Sequence, residues 1–412
     1  MIYSILLLLI FVVSGSILVV LNKTDFMYVF IALITIFGIL STKKIALVRE
    51  SIVRQIIILI LFSGLVLVRG DSLIDVYSYS FIFKIITAII LSMYLLSLGN
   101  ELLVERLCSV FEIIALLSLI TFIGSNVVPY LGSKFASYLM FNAGELYVQG
   151  NVTTFLGLGY ARAADIAKYG FMRNQGFFWE PGVLGFFTTF VYLFKAYHLN
   201  NNRRAWLYCL TVLSTVSMGA ITIFLFLFLY YKYILLIRKQ RFTGKFVIQF
   251  SLIMLVTLIA ATSYISPKTS IGALSRFFHR DLKNDSSAKT RWIDFDIGLR
   301  AAMEKPFIGC GKDFSSFYYL LILERNKSKE IYDGGISNSI ISIWYMFGGI
   351  FLCYYLYLIY NFSKWLAPEN SSLVFCIIIL LLMHEPLAIS LFTLFFITAF
   401  ATDNPHKLTV SY

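Results

Sequence analysis

The chain has 412 residues, of which 59% are hydrophobic and only 14% charged, and its net charge is +12. A soluble domain is nearer half apolar and a quarter charged, so this balance excludes a water-soluble globule and points to an integral membrane protein. Its apolar runs have the length of helical spans, which excludes an outer-membrane barrel; because only helices or closed barrels satisfy the backbone in lipid, an all-α bundle remains.

Twelve runs follow in chain order, at 2–21, 26–40, 55–68, 80–98, 107–125, 177–197, 205–216, 218–237, 246–264, 336–360, 371–384 and 386–401. The first lacks a basic n-region and a small-residue cleavage site, so it is expected to be a retained span. The pairs 205–216/218–237 and 371–384/386–401 can each be read as one long tilted helix or as a hairpin. Basic residues decide between these. With the N-terminus inside, the cytoplasmic loops hold 15 Lys and Arg, and the short outer loops only Lys23 and Arg69. That asymmetry follows the positive-inside rule with both termini cytoplasmic, and the alternation survives only if both pairs are hairpins. The expected organisation is an N-terminal five-span bundle (1–125), a first outer loop (126–176), central spans (177–264), a large outer loop (265–335) and C-terminal spans (336–412).

The first outer loop is aromatic and glycine-rich. The second carries twelve Lys and Arg among 71 residues. Long loops translocate regardless of charge, so these cations need another explanation, and an anionic ligand outside supplies one. With most other cations assigned to topology, the net charge gives no reason to expect nucleic acid. The five cysteines form no CxxC pattern or disulfide framework and the four histidines are scattered, so neither a metal nor a cofactor is expected.

Four stretches could carry chemistry. In "FMRNQGFFWEPGVLGFF" (171–187), the residue before proline is pushed from α geometry and proline suits the first helical position. A helix is therefore predicted from Pro181, with Glu180 at its N-cap and Arg173 just before. Spacing alone leaves open whether these serve a helix dipole and lipid phosphate or a substrate. In 286–314, Trp292, Phe295, Leu299 and Met303 recur at helical spacing, capped by Ser287 and ended by Lys305-Pro306, with Arg291, Asp294, Gly298 and Ala301 off that stripe. The plain reading of Arg291 is a surface pair with Asp294. Asn338 and its flanking serines open the tenth run, where ordinary N-capping would account for them. Thr211, Ser214, Thr215 and Ser217 sit at the 205–216/218–237 break and read as packing hydroxyls. His384, Glu385 and Pro386 read as a solvated turn.

In their order these residues resemble the bacterial O-antigen polymerase and ligase family. The motifs are Arg173-x-x-Gly176-(x)3-Glu180-Pro181 before a middle span, a hydroxyl-rich hairpin two spans later, and a large outer loop with Arg291-Trp292, Lys305-Pro306 and Gly309-x-Gly311. A span opening with Asn338 completes the series, and the likeness covers roughly 170–360. The resemblance implies a GT-C-like bundle of about twelve transmembrane helices in the bacterial inner membrane. It would join oligosaccharide repeat units carried on undecaprenyl pyrophosphate at the periplasmic face, by inversion and without a metal. Ligases of this group have a histidine where this chain has Ser337, so the polymerase reading is preferred, with ligase or lipid-linked oligosaccharide flippase as alternatives. The implied catalytic residues are Glu180, Arg173 and Arg291, with Arg276, Arg280 and Asn338 binding substrate. The implied partners are lipid-linked oligosaccharides, membrane lipid and, as a further candidate, a chain-length regulator.

Overall fold

The computed structural model describes residues 2–16, 25–43, 57, 76–127, 140–146, 150–155, 159–162, 171–201, 203–239, 286–309 and 338–400. Its helices are α1 (Ile2–Gly15), α2 (Asp25–Thr42), α3 (Val76–Leu96), α4 (Asn100–Val127), α5 (Pro181–Leu193), α6 (Ala205–Thr215), α7 (Met218–Lys239), α8 (Ser286–Glu304), α9 (Ser339–Leu366), α10 (Ser371–His384) and α11 (Leu391–Phe400). The protein is thus helical, as its runs require. Runs 55–68 and 246–264 lie outside the described residues. Both uncertain pairs are two helices each, broken at 216–217 and 385–390.

Among the described residues, α4 and α9 are long and apolar enough to cross a membrane, at 28 residues each. At 1.5 Å per residue each reaches about 42 Å. The other apolar helices are shorter.

Every residue of α5 is buried, so this helix is the mast around which the others stand. A helix apolar all round has no polar stripe to offer water and must be enclosed. Its phenylalanines build an aromatic column with α9 and α11: Phe190 stacks on Phe362 at 5.8 Å and meets Phe392 edge-on at 5.0 Å. Phe194 continues the column to Phe396 and Trp365. Such pairs contribute about 0.5–1.5 kcal/mol each beyond the area they bury.

Turns predicted to lie on one side do gather at one end. There Trp179 N–H donates to Gly15 O, Asn174 N–H to Ser214 O, Ser339 Oγ to the Glu385 carbonyl, and Phe392 N–H to Ser14 Oγ. At the opposite end His198 stacks on Trp365, and α5 runs into a π-helical turn, Phe194–His198. That turn buries Lys195 (6% exposed) against Glu112 of α4 (8% exposed), which also accepts from Arg204 Nη1 at 2.7 Å. Sequence counted Lys195 as a loop cation; it is instead half of a buried ion pair.

One addition to the helical plan lies in the first outer loop. Strands β1 (Met140–Leu146), β2 (Gly150–Phe155) and β3 (Gly159–Arg162) form an antiparallel meander, paired Met140↔Phe155 and Val152↔Arg162, with a bulge between Asn142 and Glu145. Val, Thr and Phe in "GNVTTF" suit a pleated surface, and a glycine opens each of the second and third strands. The sheet packs against α4.

Candidate functional site

The chain reaches α5 through 171–180, which is not helical and is pinned from two sides. Asn126 of α4 brackets Met172, accepting from its N–H at 2.8 Å and donating to its carbonyl at 2.9 Å. Asn174 donates to Ser214 Oγ of α6 at 2.8 Å and Ser118 Oγ of α4 at 3.3 Å, while its Oδ1 accepts from Gly176 N–H. That local bond closes a tight turn whose Gly176 has φ +54°, an arrangement that disfavours a side chain. Gln175, between them, is fully buried with neither amide atom hydrogen-bonded.

The turn delivers Glu180 to the N-cap of α5, as the Pro181 rule predicts. Its backbone is extended (φ −147°, ψ 145°) and its carbonyl accepts from the amides of Val183 and Leu184. The carboxylate makes no capping bond, so it does not serve the helix in the usual N-cap manner. Arg173 and Glu180 are both half-buried, at the same end of the bundle.

The largest correction concerns His384 and Glu385. A solvated turn was expected, yet Glu385 is 1% exposed and His384 17%. Glu385 Oε1 lies over Gly182 in the first turn of α5, where an added Cβ would collide with it. The positive end of a helix dipole is where a buried carboxylate costs least. The imidazole lies over Gly219 of α7 in the same way, with Nε2 3.1 Å from Ser217 Oγ and 3.4 Å from Glu385 Oε1. Two glycines on two helices thus leave space for one ionisable pair. Ser217 follows Val216, whose φ of +52° is left-handed backbone, rare for a β-branched residue. Thr211, Ser214 and Thr215 donate to carbonyls one turn back, the packing role expected of them.

Asn338 does cap α9, its Oδ1 accepting from Ile340 and Ile341 N–H at 3.0 and 3.1 Å. Ser339 ties that cap to the His384 turn by donating to the Glu385 carbonyl at 2.6 Å and accepting from Ala388 N–H at 3.0 Å. The structure therefore gathers the segments bearing Arg173, Glu180 and Asn338 at one end, and adds His384 and Glu385. An ionisable pair beside a proline between apolar runs was the signal that could have found them.

Arg291 lies on α8, which ends at Glu304 before Lys305-Pro306 as predicted. The predicted stripe is not the buried face. Ile297, Gly298, Ala301 and Ala302 are buried, whereas Met303 is 61% exposed. Small residues let α8 lie close on α9, which outweighs the size of the apolar stripe. The side chains of Arg291 and Asp294 lie outside the described residues. Arg300 pairs with Asp296 one turn away. The expected return at 309–311 also begins earlier. Pro306 O accepts from Gly349 N–H at 2.7 Å and Trp344 Nε1 at 3.0 Å, seating 306–309 in a kink of α9 at Gly348 (φ +83°). Gly348 is nine residues along α9, about 14 Å from its start. Arg276 and Arg280 lie outside the described residues.

No curated protein matches the chain. Residues 204–356, from the start of α6 to within α9, match a family model described as O-antigen ligase, in agreement with the resemblance of the motifs to the O-antigen polymerase and ligase family.

Proposed function

We propose that the protein is a repeat-unit polymerase, transferring a growing glycan from undecaprenyl pyrophosphate to an incoming lipid-linked repeat unit. The observation that carries this reading is the convergence of the 173–180, 214–219, 338–339 and 384–385 segments at one end of a closed apolar bundle. In the membrane that end faces outward and both termini face the cytoplasm, following the distribution of basic residues. The bundle stands in the bacterial inner membrane, and the donor approaches from the lipid.

The acceptor hydroxyl attacks the anomeric carbon of the donor. The new C–O bond forms as the bond to pyrophosphate breaks, with inversion and no covalent enzyme intermediate. Lipid pyrophosphate leaves with the bonding pair, and guanidinium forks stabilise its charge. Arg173 and Arg291 serve there, with Arg276 and Arg280 as further contacts on the oligosaccharide-lipid. Glu180, free of any capping bond, holds the acceptor hydroxyl, and Asn338 fixes the α9 start beside it. The ligase reading draws on the description of the matched family, and Ser337 argues against it. A flippase would need a polar path through the centre, where α5 carries an aromatic column.

Purified protein in liposomes with a lipid-linked repeat unit separates the three readings. A polymer ladder is expected; transfer only to lipid A core would make it a ligase, and unmodified lipid crossing leaflets a flippase. Arg173→Lys and Arg291→Lys are each expected to lower the rate at least tenfold, because a point charge does not reproduce a bidentate fork. Full rates from both would remove the arginines from the site.

A further inference from the structure

His384 and Glu385 are absent from the mechanism above, although they lie at the same end of the bundle, beside the first turn of α5 and the start of α9. A carboxylate 1% exposed in an apolar bundle is costly, and ionisable groups kept in such places are functional by default. This one is accommodated by design of the backbone: Gly182 and Gly219, on different helices, leave the space that the carboxylate and imidazole fill. The turn bearing the pair is anchored by Ser339 to Glu385 O, Tyr355 Oη to Ala388 O at 2.7 Å and Thr393 Oγ1 to Leu387 O at 2.8 Å. The imidazole keeps 17% of its surface open, at the end that holds Arg173, Glu180 and Asn338.

Ser217 beside His384 and Glu385 suggests a nucleophilic serine relay, but the geometry differs. In such a relay the serine and the carboxylate hold opposite ring nitrogens. Here both lie against Nε2, at 3.1 and 3.4 Å. Ser217 therefore orients the ring, with the carboxylate against the same nitrogen.

We propose that His384 is the general base of the transfer, taking the proton from the acceptor hydroxyl while Glu385 stabilises the imidazolium that results. This rests on the polymerase reading and divides its labour: Glu180 holds the acceptor hydroxyl, and His384 receives its proton. As the acceptor oxygen bonds to the anomeric carbon, its proton passes to the imidazole and the bonding pair leaves with lipid pyrophosphate. The proton then passes to water outside.

The test uses the full chain in liposomes with a lipid-linked repeat unit. His384→Gln is expected to lower kcat 10²- to 10⁴-fold, the usual loss for a general base, while KM for the donor and the melting midpoint in detergent stay at wild-type values. Glu385→Gln should lower kcat less. Because a glutamine ring substitute could disturb packing, His384→Ala is assayed with added imidazole, which should restore part of the rate. Wild-type polymer with His384→Gln within threefold of it overturns the base assignment and leaves the polymerase reading standing. Unstable variants that imidazole does not rescue also overturn it, in favour of packing. No sugar transfer by the wild type overturns both.

Discussion

Glu180→Gln separates a structural carboxylate from a working one, because the structure limits what the charge does for the fold. The start of α5 is set by Pro181 at its first position and by the Glu180 carbonyl, which accepts from Val183 and Leu184 N–H. Both survive the substitution, and no side-chain capping bond exists to lose. What remains is the interaction of the charge with the helix dipole, about 0.3–1 kcal/mol at a partly exposed position. That is at most a factor of about five in the folded population, and it leaves membrane levels near wild type. Losing the group that positions the attacking hydroxyl costs far more, on the order of 10²-fold in rate. Initial rates of polymer formation in liposomes, normalised to folded protein by size-exclusion profile, read the two effects apart. Folded Glu180→Gln protein with a rate at least a hundredfold down is expected. A full rate would refute the acceptor role, and reduced protein with normal specific activity would return Glu180 to the helix.

Two further substitutions probe the frame. Gly182→Ala puts a Cβ into the Glu385 carboxylate, and overpacking of this kind costs about 1–3 kcal/mol; a lowered melting midpoint with loss of activity is expected, and an unchanged enzyme would mean the carboxylate has another place to go. Glu112→Gln strands the buried Lys195 charge, and removing one partner of a buried pair costs about 3–5 kcal/mol, whereas the Glu112→Leu/Lys195→Met double substitution should melt close to wild type. Equal midpoints for Glu112→Gln and wild type would show that Lys195 reaches water.

Local chemistry was legible where it is written in neighbouring residues. The proline rule placed the start of α5 and Glu180 at its cap; the side-chain oxygen of Asn338 does for α9 what an N-cap asparagine usually does. The breaks at 216–217 and 385–390 followed from charge alternation. Burial of polar groups was not legible, since it is decided by partners far along the chain. Glu385 is buried because Gly182, 203 positions earlier, has no side chain, and no window around "MHEPL" contains that fact. The packed face of α8 escaped for a related reason: amphipathic reading weighs bulk, whereas helices approaching closely select Gly298, Ala301 and Ala302. The small sheet at 140–162 has strands of four to seven residues, too short for periodicity to separate from a loop.

The pairing of Glu112 with Lys195 has a consequence for how the molecule is made. The carboxylate sits in α4, and its buried cation comes 83 residues later. At roughly 5–20 residues per second of synthesis, α4 waits on the order of ten seconds with its charge uncompensated. An acidic residue in a span costs up to about 2.5–3.5 kcal/mol at its centre, so α4 gains its final stability only when the Phe194–His198 turn arrives. The front of the chain and the turn that follows α5 are thereby assembled together. Chimeras that exchange α1–α4 between such proteins should succeed only when residue 112 travels with its partners at 195 and 204.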